Sequence, residues 1–100
     1  MVSLAFPALV RICYLREHKL ETLPGGNENV LYRFPDGRQL SNWELIRTPQ
    51  YEAFKRGFRD GFEGRVAAGE TIELPLRGEY QSGFQHGGEE RKKQLGRTGD

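Results

Sequence analysis

The side chains of this 100-residue chain best suited to chemistry are arginines and lysines whose spacing gathers them on predicted helix faces. Lys55, Arg56 and Arg59 recur within one helical turn, and Arg65 follows just beyond. Arg91, Lys92 and Lys93 form a second cluster, with Arg97 one turn on. Such clusters can grip RNA phosphates while an exposed Tyr or Trp stacks on a base. The competing reading is a solvated helix face. Asp60, Glu63, Glu89 and Glu90 are interleaved with the cations and blunt their field. Cations near a helix C-terminus also suit its dipole.

The other reactive types are sparse. His18 and His86 have no Cys or His at ligand spacing, and a four-ligand zinc site would need carboxylates besides. Cys13 is the single cysteine, so no disulfide can form within the chain. It sits in an apolar run and reads as a buried, inert thiol. Ser3, Ser41 and Ser82 lack the context of a nucleophile elbow. Glu17 with Glu21, and Glu89 with Glu90, could be paired carboxylates, but nothing apolar nearby would raise a pKa for acid–base work. Gly25-Gly26 lacks the Lys-Ser/Thr of a phosphate loop, and Gly57-x-x-x-Gly61 lacks the strand of a dinucleotide site. The expectation is a non-catalytic protein with no metal and no cofactor.

Composition narrows the class further. Fifteen Lys and Arg against fourteen Asp and Glu leave a net charge of +1, against a DNA-wrapping role. Residues 2–10 are too few to span a bilayer, contain Pro7 and lack a basic leading segment. Neither a membrane span nor a signal peptide is expected, and the cytoplasm is the expected location. Length fits one domain over residues 1–100.

The elements that must position these residues differ between the two halves. The expected fold class is α+β, with a small N-terminal antiparallel β-hairpin or sheet packed on a C-terminal Gly-rich two-helix unit and a short helix between. Residues 1–41 form the β-rich part, residues 42–95 the helical part and residues 96–100 a frayed tail. Residues 9–15 are apolar and partly β-branched, which suits a buried strand but also a helix. Pro24-Gly25-Gly26-Asn27 is a break. Residues 30–34 and 38–40 read as a hairpin across the turn residues Pro35-Asp36-Gly37. Ser41-Asn42-Trp43-Glu44 fits a capping box that starts a short helix over residues 42–47. Thr48-Pro49 starts the next, to about residue 63, and Gly64 stops it. Residues 71–74 alternate like a short strand in the connector, and a last helix spans residues 77–94. Trp43, alone of its type, is expected to be buried between hairpin and helices; exposed, it would be the strongest hot-spot candidate.

The two long helices share a pattern, aromatic-x-x-Gly-Phe-x-x-Gly, at residues 54–61 and again at residues 80–87. Tyr51, Phe54, Phe58 and Phe62 form one stripe at about 100° per residue, and Gly57 and Gly61 lie beside it. Tyr80 and Phe84 pair in the same way beside Gly83 and Gly87. Each Gly costs a soluble helix about 1 kcal/mol against Ala, so four need a reason. Close approach of another backbone supplies one: the helices pack as a Gly-notched antiparallel hairpin. The alternative is a Gly face that admits a phosphate backbone, and a third arrangement is a homodimer through the notched faces.

The residues Gly57 to Arg65, then Pro75, then Tyr80 to Gly87 resemble the ribosome modulation factor family over about residues 50–93. Those proteins are small pairs of helices with a linker between. The resemblance implies a helix pair that docks on ribosomal RNA and protein and regulates translation, with the basic residues on phosphates. The rival reading is a protein-interaction module. An inhibitor encoded by a phage or mobile element, such as an anti-CRISPR-type blocker of a host protein complex acting on nucleic acid, is one example. Near-neutral charge and a β unit foreign to the ribosome-binding family favour this rival. Phosphate contacts weaken steeply with salt, whereas an aromatic-centred protein interface does not.

Overall fold

The computed structural model describes residues 6–23 and 30–98, with side chains placed as far as residue 94. The chain runs through helix α1 (Phe6–Glu17), strands β1 (Glu21–Leu23), β2 (Leu31–Arg33) and β3 (Gln39–Ser41), and helices α2 (Asn42–Leu45) and α3 (Pro49–Phe62). Two 3-10 turns, Gly69–Thr71 and Leu74–Leu76, lead into helix α4 (Arg77–Thr98). The class is the expected α+β, with a three-stranded antiparallel sheet in the order β1-β2-β3 ahead of the long helices.

Residues 9–15 form part of a helix, not a strand. Pro7 falls in the first turn of α1, where a missing N–H costs nothing. Val10, Cys13 and Tyr14 are buried at i, i+3 and i+4, which is helical rather than alternating spacing. The residues before the sheet are therefore helical, and the β-rich part begins only at Glu21. Lys19 ends α1 with φ at 55°, and the Leu20 N–H reaches back to the Leu15 carbonyl at 2.9 Å. That is the left-handed helix cap that glycine fills most readily.

The hairpin turns where expected. Gly37 adopts φ 96°, and Asp36 accepts the Arg38 N–H at 3.0 Å. Tyr32 points into the core beside Leu40, while Arg33 pairs outward with Glu21 across β1. The break at Pro24–Asn27 lies outside the described residues.

Both helix starts form as their caps dictate. Ser41 Oγ accepts the Glu44 N–H at 3.1 Å, and Glu44 Oε1 accepts the Ser41 N–H at 3.0 Å. Thr48 Oγ1 accepts the Tyr51 N–H at 3.1 Å, with Pro49 at the first helical position. α2 ends at Leu45, two residues earlier than expected, because Arg47 and Thr48 close tighter turns onto Glu44 and Leu45. Gly64 takes φ 74° just past α3.

α3 and α4 pack through their glycines, but parallel rather than antiparallel. A Cβ on Gly57 would stand 2.0 Å from the Tyr80 carbonyl oxygen, and one on Gly61 would stand 2.2 Å from that of Phe84. Reciprocally, a Cβ on Gly83 would meet the Phe54 oxygen at 2.0 Å and one on Gly87 the Phe58 oxygen at 2.1 Å. Residue numbers rise together along both helices, so the helices point the same way. The connector must therefore return along the pair. Residues 71–74 do so through the 3-10 turns, leaving no strand there. Ala68 N–H donates to the Tyr80 hydroxyl at 2.9 Å, and that hydroxyl donates to Asp60. Ile72 is buried against Ala53 and Tyr80.

α3 is thus covered on two sides. Tyr51, Phe54 and Phe58 face α1, Tyr32 and Leu45 in the main core. Ala53 faces the connector and α4. α4 continues to Thr98, past the expected end at Gln94, so residues 96–98 are helical rather than frayed.

Two sets of substitutions test this packing. Gly61→Ala should cost about 3 kcal/mol, since backbone oxygen cannot yield to the methyl group as a side chain can. Gly88→Ala, where a Cβ meets nothing within 4 Å, should instead gain up to about 1 kcal/mol. Thermal melts should separate the two by more than about 10 °C in a domain of this size; equal effects would refute the close approach. Lys19→Gly should raise the melting temperature by several degrees, by removing about 1 kcal/mol of left-handed strain.

Candidate partner-binding surface

On a helix, residues two apart stand about 200° apart, so the short α2 cannot bury both Trp43 and Leu45. Leu45 takes the core position at 0% exposure, and Trp43 is left 60% exposed. The expected burial of Trp43 is overturned: Leu45 is the anchor. The Arg47 guanidinium lies over the indole, with Cζ 4.1 Å from the ring centroid. Their i, i+4 spacing was the signal in the sequence for this pair, and Arg47 was missed there.

The corner that carries them is fixed from three sides. The capping box sets the direction of α2, and its hydrogen bonds hold the Glu44 carboxyl below the usual carboxylate range. The Tyr32 hydroxyl donates to Asn42 Oδ1 at 3.2 Å and ties the corner to the sheet. Thr48 Oγ1 donates to the Leu45 carbonyl at 2.8 Å and closes the turn into α3. The exposed Trp–Arg pair is thus presented by a braced backbone.

The predicted basic residues do not gather into one field. Lys55 lies 3.6 Å from Glu52, Arg65 2.9 Å from Glu63, and Lys93 3.2 Å from Glu90. Arg91 Nη1 donates to the Phe62 carbonyl at 3.1 Å, and its guanidinium sits over Gly64. It serves as a cap for the end of α3. Because the helices are parallel, this brings Arg91 to the same end as Arg65, where an antiparallel pair would have separated them. Arg59 Cζ lies 5.8 Å from the Phe6 ring centroid. Arg56 lines a shallow groove with Glu52 and Glu73, and Lys92 is exposed on α4.

The residues assigned to helix packing do pack. Gly57, Gly61, Gly83, Gly87, Phe58 and Tyr80 are buried, and Phe62 and Phe84 are half-buried. Burial and the bond to Asp60 push the Tyr80 phenol up. The Gly faces meet each other within one chain, which leaves them closed to a phosphate backbone or a second copy. Cys13 is buried, and burial pushes its thiol up. Each histidine meets one carboxylate: His18 Nε2 lies 2.9 Å from Glu79 and His86 Nε2 3.5 Å from Glu17, both linking the α1 end to α4.

Comparison with known protein families, curated proteins and solved structures finds no match. Among the described residues no helix is long and apolar enough to cross a membrane.

Arg91 and Lys92 should separate structural from solvated cations. Arg91→Ala should lose about 1 kcal/mol, seen as a melting temperature lower by a few degrees. Lys92→Ala should leave it unchanged, and equal melts would show that Arg91 is no cap.

Proposed function

We propose that this chain is a non-catalytic binding protein that docks on a partner protein through the Trp43–Arg47 corner. The observation that carries the reading is a lone tryptophan, 60% exposed, stacked by an arginine on a backbone braced by a capping box and the buried Leu45. Trp and Arg are the side chains that most often dominate protein interfaces, and preorganisation lowers the ordering cost of binding. The fitting partner offers an apolar pocket for the indole and a carboxylate or carbonyl at its rim for the guanidinium. An inhibitor that covers a working face of a larger protein complex is the class of activity that suits a braced, exposed aromatic anchor.

The dispersed cations support this reading over a ribosome-binding one. Three of the seven candidate phosphate contacts sit beside glutamates and a fourth caps a helix. The parallel glycine pair fits the helix-pair architecture implied by the ribosome modulation factor resemblance, so RNA is the outcome to test against.

The test is capture of partners on the tagged protein at low and high salt, with and without nuclease, beside Trp43→Ala and a Lys55→Ala/Arg56→Ala/Arg59→Ala variant. A discrete protein complex should survive salt and nuclease. Trp43→Ala should weaken it by at least about 30-fold, as hot-spot loss does, without lowering the melting temperature. Recovery of ribosomal RNA that vanishes with salt, nuclease or the triple variant would replace the reading with the RNA one.

A further inference from the structure

A second concavity lies where α1, the β2–β3 hairpin and the first turns of α3 and α4 meet, with a cavity volume of about 200 Å³. Tyr14 lines it. The residue is 2% exposed, and its ring packs against Tyr51 at 5.1 Å and Phe54 at 5.2 Å between centroids. Its hydroxyl has no hydrogen-bond partner among the described residues and is not sealed off from solvent, whereas the hydroxyls of Tyr32 and Tyr80 each find a partner. A tyrosine buried in all but its hydroxyl leaves that donor open to whatever enters the cleft. Burial first, and then the charge of Glu79, push the phenol well above its ordinary value. It therefore remains a donor throughout the physiological range.

The other groups around the cavity are mostly donors as well. Arg38 lies over Phe34, with Cζ 4.4 Å from the ring centroid, and Asp36 engages its Nε at 3.0 Å. Its terminal nitrogens remain for another acceptor. The first turn of α3 offers one more donor. Thr48 takes the Tyr51 and Glu52 N–H groups, Pro49 has none, and the Gln50 N–H is left over at the positive end of the helix. Gln50 lines the same cavity. The one carboxylate there, Glu79, is engaged by His18 at 2.9 Å. Phe34 and Leu40 supply an apolar wall.

We propose that this cleft binds a small organic monocarboxylate, with the carboxylate oxygens on Tyr14, Arg38 and the Gln50 N–H and an apolar stem against Phe34 and Leu40. Glu79 in the wall opposes a second negative charge on the ligand, which favours a carboxylate over a phosphate. The volume admits a stem of only a few carbons. The site is independent of the Trp43–Arg47 corner.

The experiment is an amide NMR titration of the full chain with sodium butyrate, beside butanol, butylamine and inorganic phosphate at matched ionic strength. Butyrate should give saturable shifts at Gln50, Arg38 and their neighbours, with a dissociation constant on the order of 1 mM. Tyr14→Phe should weaken binding about tenfold while holding or raising the melting temperature, because it deletes only an unpartnered hydroxyl. Arg38→Gln, at an exposed side chain, should weaken it comparably. The proposal is overturned if butyrate does not saturate, if butylamine or phosphate binds as tightly, or if Tyr14→Phe binds butyrate unchanged.

Discussion

Four glycine-to-carbonyl contacts set the geometry of this molecule. Where Gly57, Gly61, Gly83 and Gly87 face the opposite helix, a methyl group would stand 2.0 to 2.2 Å from a backbone oxygen. Any side chain there forces the two backbones apart, and the helix axes approach as closely as two backbones allow. At that separation Cα–H groups lie against carbonyl oxygens, each contact worth about 0.5–1 kcal/mol, and dispersion acts along the whole seam. These gains offset a helix-propensity loss of about 1 kcal/mol per glycine. The aromatic side chains displaced from the seam go to its flanks, where Phe54 and Phe58 become the main core and Tyr80 the connector's anchor.

The direction of the pair then constrains everything outside it. Parallel helices joined in sequence require the chain to travel back the length of α3, about 21 Å at 1.5 Å per residue. Residues 63–76 make that journey, and Tyr80 holds them by accepting from Ala68 and donating to Asp60. One flank of the pair is thereby occupied by the connector. α1 and the sheet take the other flank, where Val10, Tyr14, Tyr32 and Leu45 meet the aromatic stripe of α3. With both flanks covered, the corner at α2 is pushed to the outside, and the residue opposite Leu45 has no core left to enter.

How much of this was legible in the sequence follows from how local each determinant is. The capping box at Ser41, the Thr48-Pro49 start, the Gly37 turn and the Gly64 stop depend on neighbours within four residues, and all formed as read. The repeat pointed to a close approach because so many helical glycines need a reason, with an intramolecular helix, a phosphate backbone or a second copy as the candidates, and the structure places the intramolecular helix there. Its direction was not legible, since a symmetric motif fits either orientation. The 14-residue connector was the available signal, being longer than most antiparallel helix turns need. The apolar run at residues 9–15 suited strand or helix until Val10, Cys13 and Tyr14 were set against a partner. β1 is three residues long and is defined by its pairing with β2, which no local pattern announces. Trp43 was misplaced because burial of a lone Trp is a statement about type, whereas the 200° separation from Leu45 is a statement about geometry.

The basic residues show most plainly how packing reassigns chemistry. In the sequence, Arg91, Lys92 and Lys93 form one cluster with one apparent purpose. On α4 they point in three directions 100° apart. Arg91 turns to the end of α3 and neutralises exposed carbonyl dipoles, Lys93 turns toward Glu90, and Lys92 faces solvent. The Trp43–Arg47 pair is different in kind. Its members stand on one face, touch each other, and sit on a backbone fixed by hydrogen bonds from the sheet, the cap and the following turn. Exposing an indole forfeits the free energy its burial would give. Leu45 holds the core position opposite, so the exposed part of the indole is buried only against a partner surface, which would gain that burial less the ordering cost of association.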